Sequence, residues 1–267
     1  MGLFFWSRIM NKLLIVCSLL SLTNSYADTF VINNSESLNV QLLDNAWKNR
    51  EDLNNQKVIA NYLLNKPVVP QDYETAWKTA RLVSFIGNHG YGESLYAKKT
   101  AGVELFNYGV QAGKLAISLN PAAVEGYYWY AVDLGSYGLA KGIMAAASNA
   151  GAGMDALKKA IQLNPSYQNY GSNRILGRYY QELPGIMGGS NKKALTYFTS
   201  ATDAAPDYPN NWLYLGQFYI TTGDYQQAAD ACSKAITIKD NDGKYEAQRT
   251  LREANECVAK AKTKLSS

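Results

Sequence analysis

The residues best suited to chemistry in this sequence are arginines that stand near aromatic residues. Arg81 follows Trp77 by four positions, and Arg174 and Arg178 are four positions apart in a later segment. On a helix, residues four apart share one face. A guanidinium can hold a carboxylate through a forked pair of hydrogen bonds while the apolar part of the ligand stacks on a ring. These residues therefore indicate a site for a small organic acid or an apolar ligand.

Catalysis and metal binding lack a comparable set of residues. His89, within GNHGYGE, is the single histidine of the chain, and no serine motif or second metal-binding residue accompanies it. We interpret it as a solvated loop histidine. The glycines at 151, 153, 188 and 189 lack the strand and the lysine that a nucleotide-binding loop requires, so we predict turns there. The sequence thus predicts a protein that is not an enzyme and uses no cofactor or metal.

The composition favours recognition of a protein or small molecule over binding of nucleic acid. The chain has 26 Lys and Arg against 22 Asp and Glu, and the excess is scattered along it. Nucleic acid would require a dense basic stripe. Twenty tyrosines offer large apolar faces with one polar end, which suits binding surfaces.

The first 27 residues have the pattern of a signal peptide. Arg8 and Lys12 precede an apolar run at 13–22, and SYA at 25–27 has the small-x-small form of a cleavage site. Met10 is an alternative start. We expect a linker at 28–36 and a periplasmic or secreted protein. A lipoprotein would use Cys17, but Val16 stands where a small residue is expected.

Two cysteines, Cys232 and Cys257, remain after cleavage. In an exported chain they can form a disulfide, provided that the helices carrying them are neighbours with matching depth. The alternative is that each is a small core residue. The sequence leaves both open.

A repeated pattern of small and aromatic residues organises the C-terminal half. Trp212, Leu215, Gly216 and Tyr219 stand at W-x2-L-G-x2-Y, followed by Ala228 and Cys232 at A-x3-F spacing. This pattern resembles a tetratricopeptide repeat, in which small residues let two antiparallel helices approach closely.

An earlier copy of the repeat carries an insertion. Gly177 and Ala194 occupy the two small positions but lie five residues further apart than Gly216 and Ala228. Because proline stops a helix and glycine permits positive φ, we predict an enlarged turn at 184–189. Prolines 121 and 165 end two further units.

These units predict an all-α fold, a right-handed tetratricopeptide-repeat superhelix of about five helix pairs with a C-terminal capping helix. The repeat domain spans 37–267. It opens with an irregular pair at 37–66 and ends with a helix at 245–264 whose charges face outward.

In such a stack the first helix of each pair lines the concave face. The residue just after each small packing residue, and the residue four positions before that one, should therefore form an inward stripe. The rule selects Trp77, Arg81, Tyr128, Val132, Arg174, Arg178, Leu213 and Gln217. Within this stripe we predict a binding set made of Trp77, Arg81, Tyr128, Arg174, Arg178 and Gln217. If the arginines instead pair with Glu74, Glu125 or Glu182, they form ordinary groove salt bridges.

Several features together resemble one family. They are the stretched turns, the segment EGYYWYAVDLG at 125–135, the LPG...GG...KA element at 183–194 and the export signal. The chain is similar, over about 73–238, to the T-component family of TRAP transporters. The resemblance implies a periplasmic helical-repeat protein that associates with an extracytoplasmic solute-binding protein and holds an apolar ligand in its cleft. The alternative is a secreted scaffold that recognises a peptide. The sequence does not indicate the oligomeric state.

Overall fold

The computed structural model describes residues 37–65, 70–89, 99–239 and 243–266. The predicted signal peptide at 1–27 and linker at 28–36 lie outside these residues, which all belong to one compact unit, 32–267. Within the described ranges the chain forms helices and no strand.

Eleven α-helices make up the described part of the chain. The helices are α1 (Val40–Lys48), α2 (Leu53–Asn65), α3 (Tyr73–Asn88), α4 (Lys99–Leu119), α5 (Val124–Lys141), α6 (Ile143–Leu163), α7 (Tyr167–Glu182), α8 (Asn191–Ala204), α9 (Pro209–Thr222), α10 (Tyr225–Thr237) and α11 (Lys244–Leu265). They form five successive pairs followed by α11. The predicted fold class and the capping helix are confirmed.

Small residues hold the two helices of a repeat together, as the pattern predicts. Gly216 of α9 faces Cys232 of α10 so closely that an added Cβ would collide with the sulfur. Ala194 and Ala228, at the second small position of two repeats, have no exposed surface. Because no side chain separates the backbones here, the neighbouring aromatic rings close around the contact.

The enlarged turn of the fourth pair is a short ordered element. A 3-10 helix, Gly185–Met187, lies between α7 and α8, and Gly188 follows in the left-handed region at φ 92°. Ser190 then caps α8 by accepting a hydrogen bond from the Lys193 backbone. The predicted turn at 184–189 is confirmed.

The turn predicted at 151–153 is wrong. These residues lie inside α6, and the turn between α5 and α6 is made by Gly142 at φ 122°. Gly153 serves a different purpose, since it faces the Tyr179 ring of α7 with no room for a Cβ. The glycine that looked like a helix breaker allows a helix contact.

The N-terminal end of α7 contains a left-handed turn. Gln168, Asn169 and Tyr170 have φ values of 53°, 52° and 59°. A Cβ atom makes this region unfavourable, because it lies too close to the following carbonyl oxygen. The surrounding contacts must therefore hold the turn in place.

The loop between α1 and α2 contacts the start of α11. Glu51, between α1 and α2, accepts a hydrogen bond from the Lys244 backbone at the start of α11. Arg50 lies 3.6 Å from the Glu246 carboxylate. The N-terminal pair therefore contacts the capping helix directly.

Candidate functional site

Arg81 of the predicted set lies between two indole rings. Its guanidinium carbon is 4.0 Å from the centroid of Trp47 and 4.8 Å from that of Trp77. Nη2 is 3.9 Å from Asp44. The buried Nε atom has no hydrogen-bond partner, and burial lowers the pKa of Arg81 from its ordinary value. One donor of this guanidinium therefore lacks an acceptor among the described residues.

Arg50 extends the same cluster from the loop after α1. Its guanidinium carbon lies 4.4 Å from the Trp47 ring centroid and 5.3 Å from that of Phe85. Two cationic side chains thus stack on one indole. The sequence interpretation missed Arg50, Trp47 and Asp44 because they belong to the irregular first pair, where the repeat pattern gives no register.

Tyr128 lies in the core and exposes only 5% of its surface. Its ring makes edge contacts with Trp129 and Tyr167, at centroid distances of 4.9 and 5.3 Å. The Trp129 indole donates a hydrogen bond of 2.9 Å to the Tyr167 hydroxyl. Tyr128 therefore supports the helices around the concave side and offers little surface to a ligand.

Arg174 is also buried and uses its donors within the protein. Nη1 donates to Asn211 Oδ1 at 2.6 Å and to the Asn169 carbonyl at 3.3 Å. The guanidinium carbon lies 5.0 Å from the Tyr208 ring centroid. These contacts join the left-handed turn of α7 to the start of α9. Arg174 thus acts in packing between repeats.

Arg178 and Gln217 are the two members of the predicted set that bond to each other. Arg178 Nη1 donates to Gln217 Oε1 at 3.1 Å, and Nε lies 3.1 Å from Glu182. Gln217 Nε2 in turn donates to Glu253 of α11 at 3.1 Å. Among the predicted salt-bridge acids, Glu182 pairs with an arginine, while Glu74 pairs with Lys78 and Glu125 accepts from Tyr73.

The acid at the end of this chain, Glu253, stays ionised although it is largely buried. Burial raises the pKa of Glu253, but the Arg249 guanidinium and the Gln217 hydrogen bond outweigh it, so the pKa lies below its usual value. Arg249 Nε contacts Glu253 at 2.6 Å. The polar chain therefore ends on a fixed negative charge.

A cleft of about 280 Å³ opens at this chain of polar contacts, between α7, α9 and α11. Its polar lining comes mainly from Arg178, Gln181, Glu182, Gln217, Glu253 and Lys260. Gln181 Nε2 donates to Thr221 at 2.9 Å, but its buried Oε1 has no partner among the described residues. The cleft therefore has a charged and partly paired wall, and one buried acceptor of a lining residue lacks a donor among the described residues.

A disulfide forms one end of the cleft. Cys232 of α10 and Cys257 of α11 are bonded, with their Cα atoms 6.2 Å apart. Cys257 also lines the cleft. The bond ties the capping helix to the last repeat, and so fixes the wall that carries Glu253.

His89 differs from the solvated loop residue expected. It follows α3 directly, and its half-buried ring lies 4.9 Å from the Phe85 ring. Burial, with a smaller contribution from Arg249, lowers the pKa of His89 to about 3. The ring is therefore neutral at physiological pH.

The chain matches two family profiles. The first is described as regulator of microtubule dynamics protein 1-3 and covers residues 40–186. The second is a tetratricopeptide repeat and covers residues 186–252. Together they span the described helices up to the first part of α11.

Curated relatives match 65% of the chain. Regulator of microtubule dynamics protein 1 from Bos taurus is 28% identical over 189 residues, which is 65% of this chain and 57% of that protein. The protein of the same name from Pongo abelii is also 28% identical and is covered over 58% of its length. The chain thus spans less than two thirds of the curated relatives it matches.

A solved structure shows the same fold. A thermophilic tetratricopeptide-repeat protein from Thermus thermophilus superposes with a TM-score of 0.57, covering 82% of this chain and 97% of that one. Its sequence identity is 18%, so the likeness shows the fold alone.

Proposed function

Because the chain belongs to the regulator of microtubule dynamics protein 1-3 family, whose profile covers more than half of it, we propose that it is a non-catalytic helical-repeat protein that binds a partner protein. An extended segment of that partner lies in the cleft between α7, α9 and α11. The observation that carries this proposal is the cleft itself, which has a volume of about 280 Å³ and is lined by side chains of both charge signs. Such a lining can pair with the side chains of a bound segment.

The cleft suits a polar peptide better than an apolar ligand. Arg178 and Lys260 can meet carboxylates, while Glu182, Glu253 and Glu256 can meet basic side chains. Its volume accommodates a few side chains and excludes a folded domain. Helical-repeat grooves commonly bind extended segments in this way.

A second candidate is a small organic acid at Arg81. The guanidinium already lies between Trp47 and Trp77, and 15% of the Arg81 side chain is exposed. A carboxylate would pair with the guanidinium, and an apolar body would stack on the indoles. This candidate retains the ligand suggested by the pattern of arginines and rings.

The cellular compartment of the protein limits which partner proteins it can meet. We propose that the protein is exported, because a signal-like segment begins the chain and because a disulfide between Cys232 and Cys257 favours an oxidising compartment. The name of the relatives refers to microtubule dynamics, which is a cytosolic process. A role beside a solute-binding protein of a TRAP-type uptake system fits export better, and rests on the LPG...GG...KA element.

Peptide selection tests the cleft. A random peptide library is panned against the purified chain, and binding of the selected peptides is measured for Gln181→Ala and Arg178→Ala. We expect each substitution to weaken binding about tenfold, the effect of one lost hydrogen bond to a charged or buried group. Gln226→Ala is the matched control, since Gln226 bonds only to Asp230 on its own helix. Peptides that bind both cleft variants as well as the native chain would exclude this site.

Co-purification from the native host separates the partner classes. An extracytoplasmic solute-binding protein recovered with the chain supports the transport role, and its loss with Gln181→Ala assigns it to the cleft. Sedimentation with polymerised tubulin tests the alternative, that the chain binds microtubules. Retention on microtubules by the oxidised protein would contradict the exported role.

A further inference from the structure

Five large apolar side chains stand exposed at two turns of the stack. Leu139, Ile143 and Met144 surround the α5–α6 turn and are 72%, 79% and 76% exposed. Ile186, in the enlarged α7–α8 turn, is 95% exposed, and Met187 beside it is 44% exposed. We call these five residues the apolar edge. Exposed clusters of this kind mark interaction surfaces on soluble folds.

The two turns lie on the same side of the helical stack. Tyr179, near the C-terminal end of α7, donates a hydrogen bond of 3.0 Å to the Ala131 carbonyl of α5. Tyr179 also contacts Gly135 of α5 and Gly153 of α6. Helices α5 and α7 are the first members of successive pairs, so they run in the same direction and end on the same edge.

The enlarged turn holds Ile186 outward without using its side chain. Met187 N donates to the Pro184 carbonyl at 2.9 Å, and Gly189 N donates to the same carbonyl at 3.1 Å. Ser190 N then donates to the Tyr180 carbonyl at 2.8 Å, which anchors the turn on α7. The backbone alone therefore orders this segment, and the isoleucine is free to contact another surface.

Basic residues flank the apolar edge. Lys141 is the last residue of α5, directly before the α5–α6 turn, and Lys192 and Lys193 lie in the first turn of α8, after the enlarged turn. All three are exposed. Glu182, the acid at the end of α7, is paired with Arg178. The surroundings of the apolar residues are therefore positively charged.

We propose that the apolar edge docks on the surface of a membrane that contains anionic lipids. The aliphatic side chains enter the boundary between headgroups and acyl chains, and the lysines contact lipid phosphates. Among the described residues no helix has the length and apolar character to span a bilayer. A second copy of the chain fits less well, because a stable dimer buries roughly 20–30 residues on each side, and the edge offers five protruding ones.

Vesicle binding tests the proposal directly. The purified chain is mixed with vesicles of phosphatidylcholine and phosphatidylglycerol in equal parts, and with vesicles of phosphatidylcholine alone. Hydrogen exchange then locates the contact, because amides at a membrane surface exchange more slowly. We expect anionic vesicles to protect 139–146 and 183–190.

Substitutions separate the apolar and charged contributions. Ile143→Ser with Ile186→Ser should lower the partition coefficient on anionic vesicles about a hundredfold or more, the loss expected for two buried aliphatic side chains. Lys141→Glu with Lys192→Glu should abolish the preference for anionic over neutral vesicles. Leu251→Ser is the matched control, since Leu251 of α11 is 48% exposed and lies outside the edge.

Two outcomes would overturn the proposal. Vesicle-induced protection confined to segments outside the two turns would place the membrane contact elsewhere. A chain that is dimeric in the absence of lipid and becomes monomeric with Ile143→Ser and Ile186→Ser, while vesicles leave both turns unprotected, would make the edge a self-association surface.

Discussion

Asn211 accepts a 2.6 Å hydrogen bond from Arg174 Nη1 and donates through its own amide to the Ala201 carbonyl at 2.9 Å and the Ala205 carbonyl at 3.2 Å. One buried side chain thus caps the end of α8 and binds the cation of the preceding α7.

We expect Asn211→Ala to lower the free energy of unfolding by about 2–3 kcal/mol, because the Ala201 and Ala205 carbonyls each lose one of their two donors and Arg174 loses an acceptor in a buried site. Urea denaturation monitored by far-ultraviolet circular dichroism measures the change. Asn255→Ala, at an exposed position whose amide bonds only within α11, is the control and should change it by less than about 0.5 kcal/mol. Equal effects for the two variants would contradict this role of Asn211.

At the left-handed turn of α7 we expect glycine to be more stable than alanine, which is the reverse of the order inside a helix. Asn169 has φ 52°, where a Cβ costs about 1–2 kcal/mol. Asn169→Gly should therefore be about 1 kcal/mol more stable than Asn169→Ala. At exposed Gln162, inside α6, the order should invert, and glycine should be about 1 kcal/mol less stable than alanine. Chemical denaturation of the four variants checks both signs. The same order at both positions would exclude a left-handed turn.

Asp133 of α5 predicts a pH-dependent stability. It has no exposed surface, neither carboxyl oxygen has a hydrogen-bond partner among the described residues, and burial holds its pKa well above the usual 3.8. Because the folded pKa is raised, the stability contributed by this group is complete below pH 3.8 and is lost as the pH rises through the folded value. The slope reaches at most about 1.4 kcal/mol per pH unit.

Asp133→Asn should remove this dependence. The variant should gain stability relative to the native chain as the pH rises, and denaturation midpoints measured from acidic to neutral pH would show the two curves diverging. Asp207→Asn, at an exposed position, should leave the curve unchanged in shape. Parallel curves for Asp133→Asn and the native chain would contradict a buried neutral carboxyl.

The disulfide predicts a redox-dependent melting temperature. The bond closes a loop of 25 residues between Cys232 and Cys257, for which the chain-entropy model gives about 3.5 kcal/mol of stabilisation. Cys232→Ala with Cys257→Ala should melt earlier and become insensitive to reductant. Thiol titration of the denatured, oxidised chain should detect neither residue. If reductant leaves the melting temperature of the native chain unchanged, the two cysteines are not bonded.

The repeats could be predicted from the sequence where small residues had to stay small. Gly216 and Ala228 define one helix pair because any larger side chain would separate the backbones. Small residues therefore recur at a regular spacing that can be recognised in the sequence. The enlarged turn at 184–189 could be predicted because Gly177 and Ala194, the small residues on either side of it, lie five residues further apart than Gly216 and Ala228. The turn predicted at Gly151 and Gly153 was wrong because a single sequence does not distinguish a glycine at a helix contact from a glycine in a turn.

The candidate site was harder to predict because it depends on neighbours distant in the chain. Arg178 meets Gln217 and, through it, Glu253 of the capping helix, and no local pattern relates these positions. Arg174 occupies a position equivalent by spacing, yet Asn211 draws it into the interior. Helical spacing gives the face of a helix, but packing decides whether that face is open.

The contact of Glu51 with Lys244, and of Arg50 with Glu246, changes how the stack can come apart. A row of repeats ordinarily frays from whichever terminus is weaker, because each unit leans only on its immediate neighbours. Here the first described pair and the last described helix support each other, so opening that pair also exposes the start of α11. Loss of order at one extremity is thereby transmitted to the other, and the molecule has reason to melt as a whole.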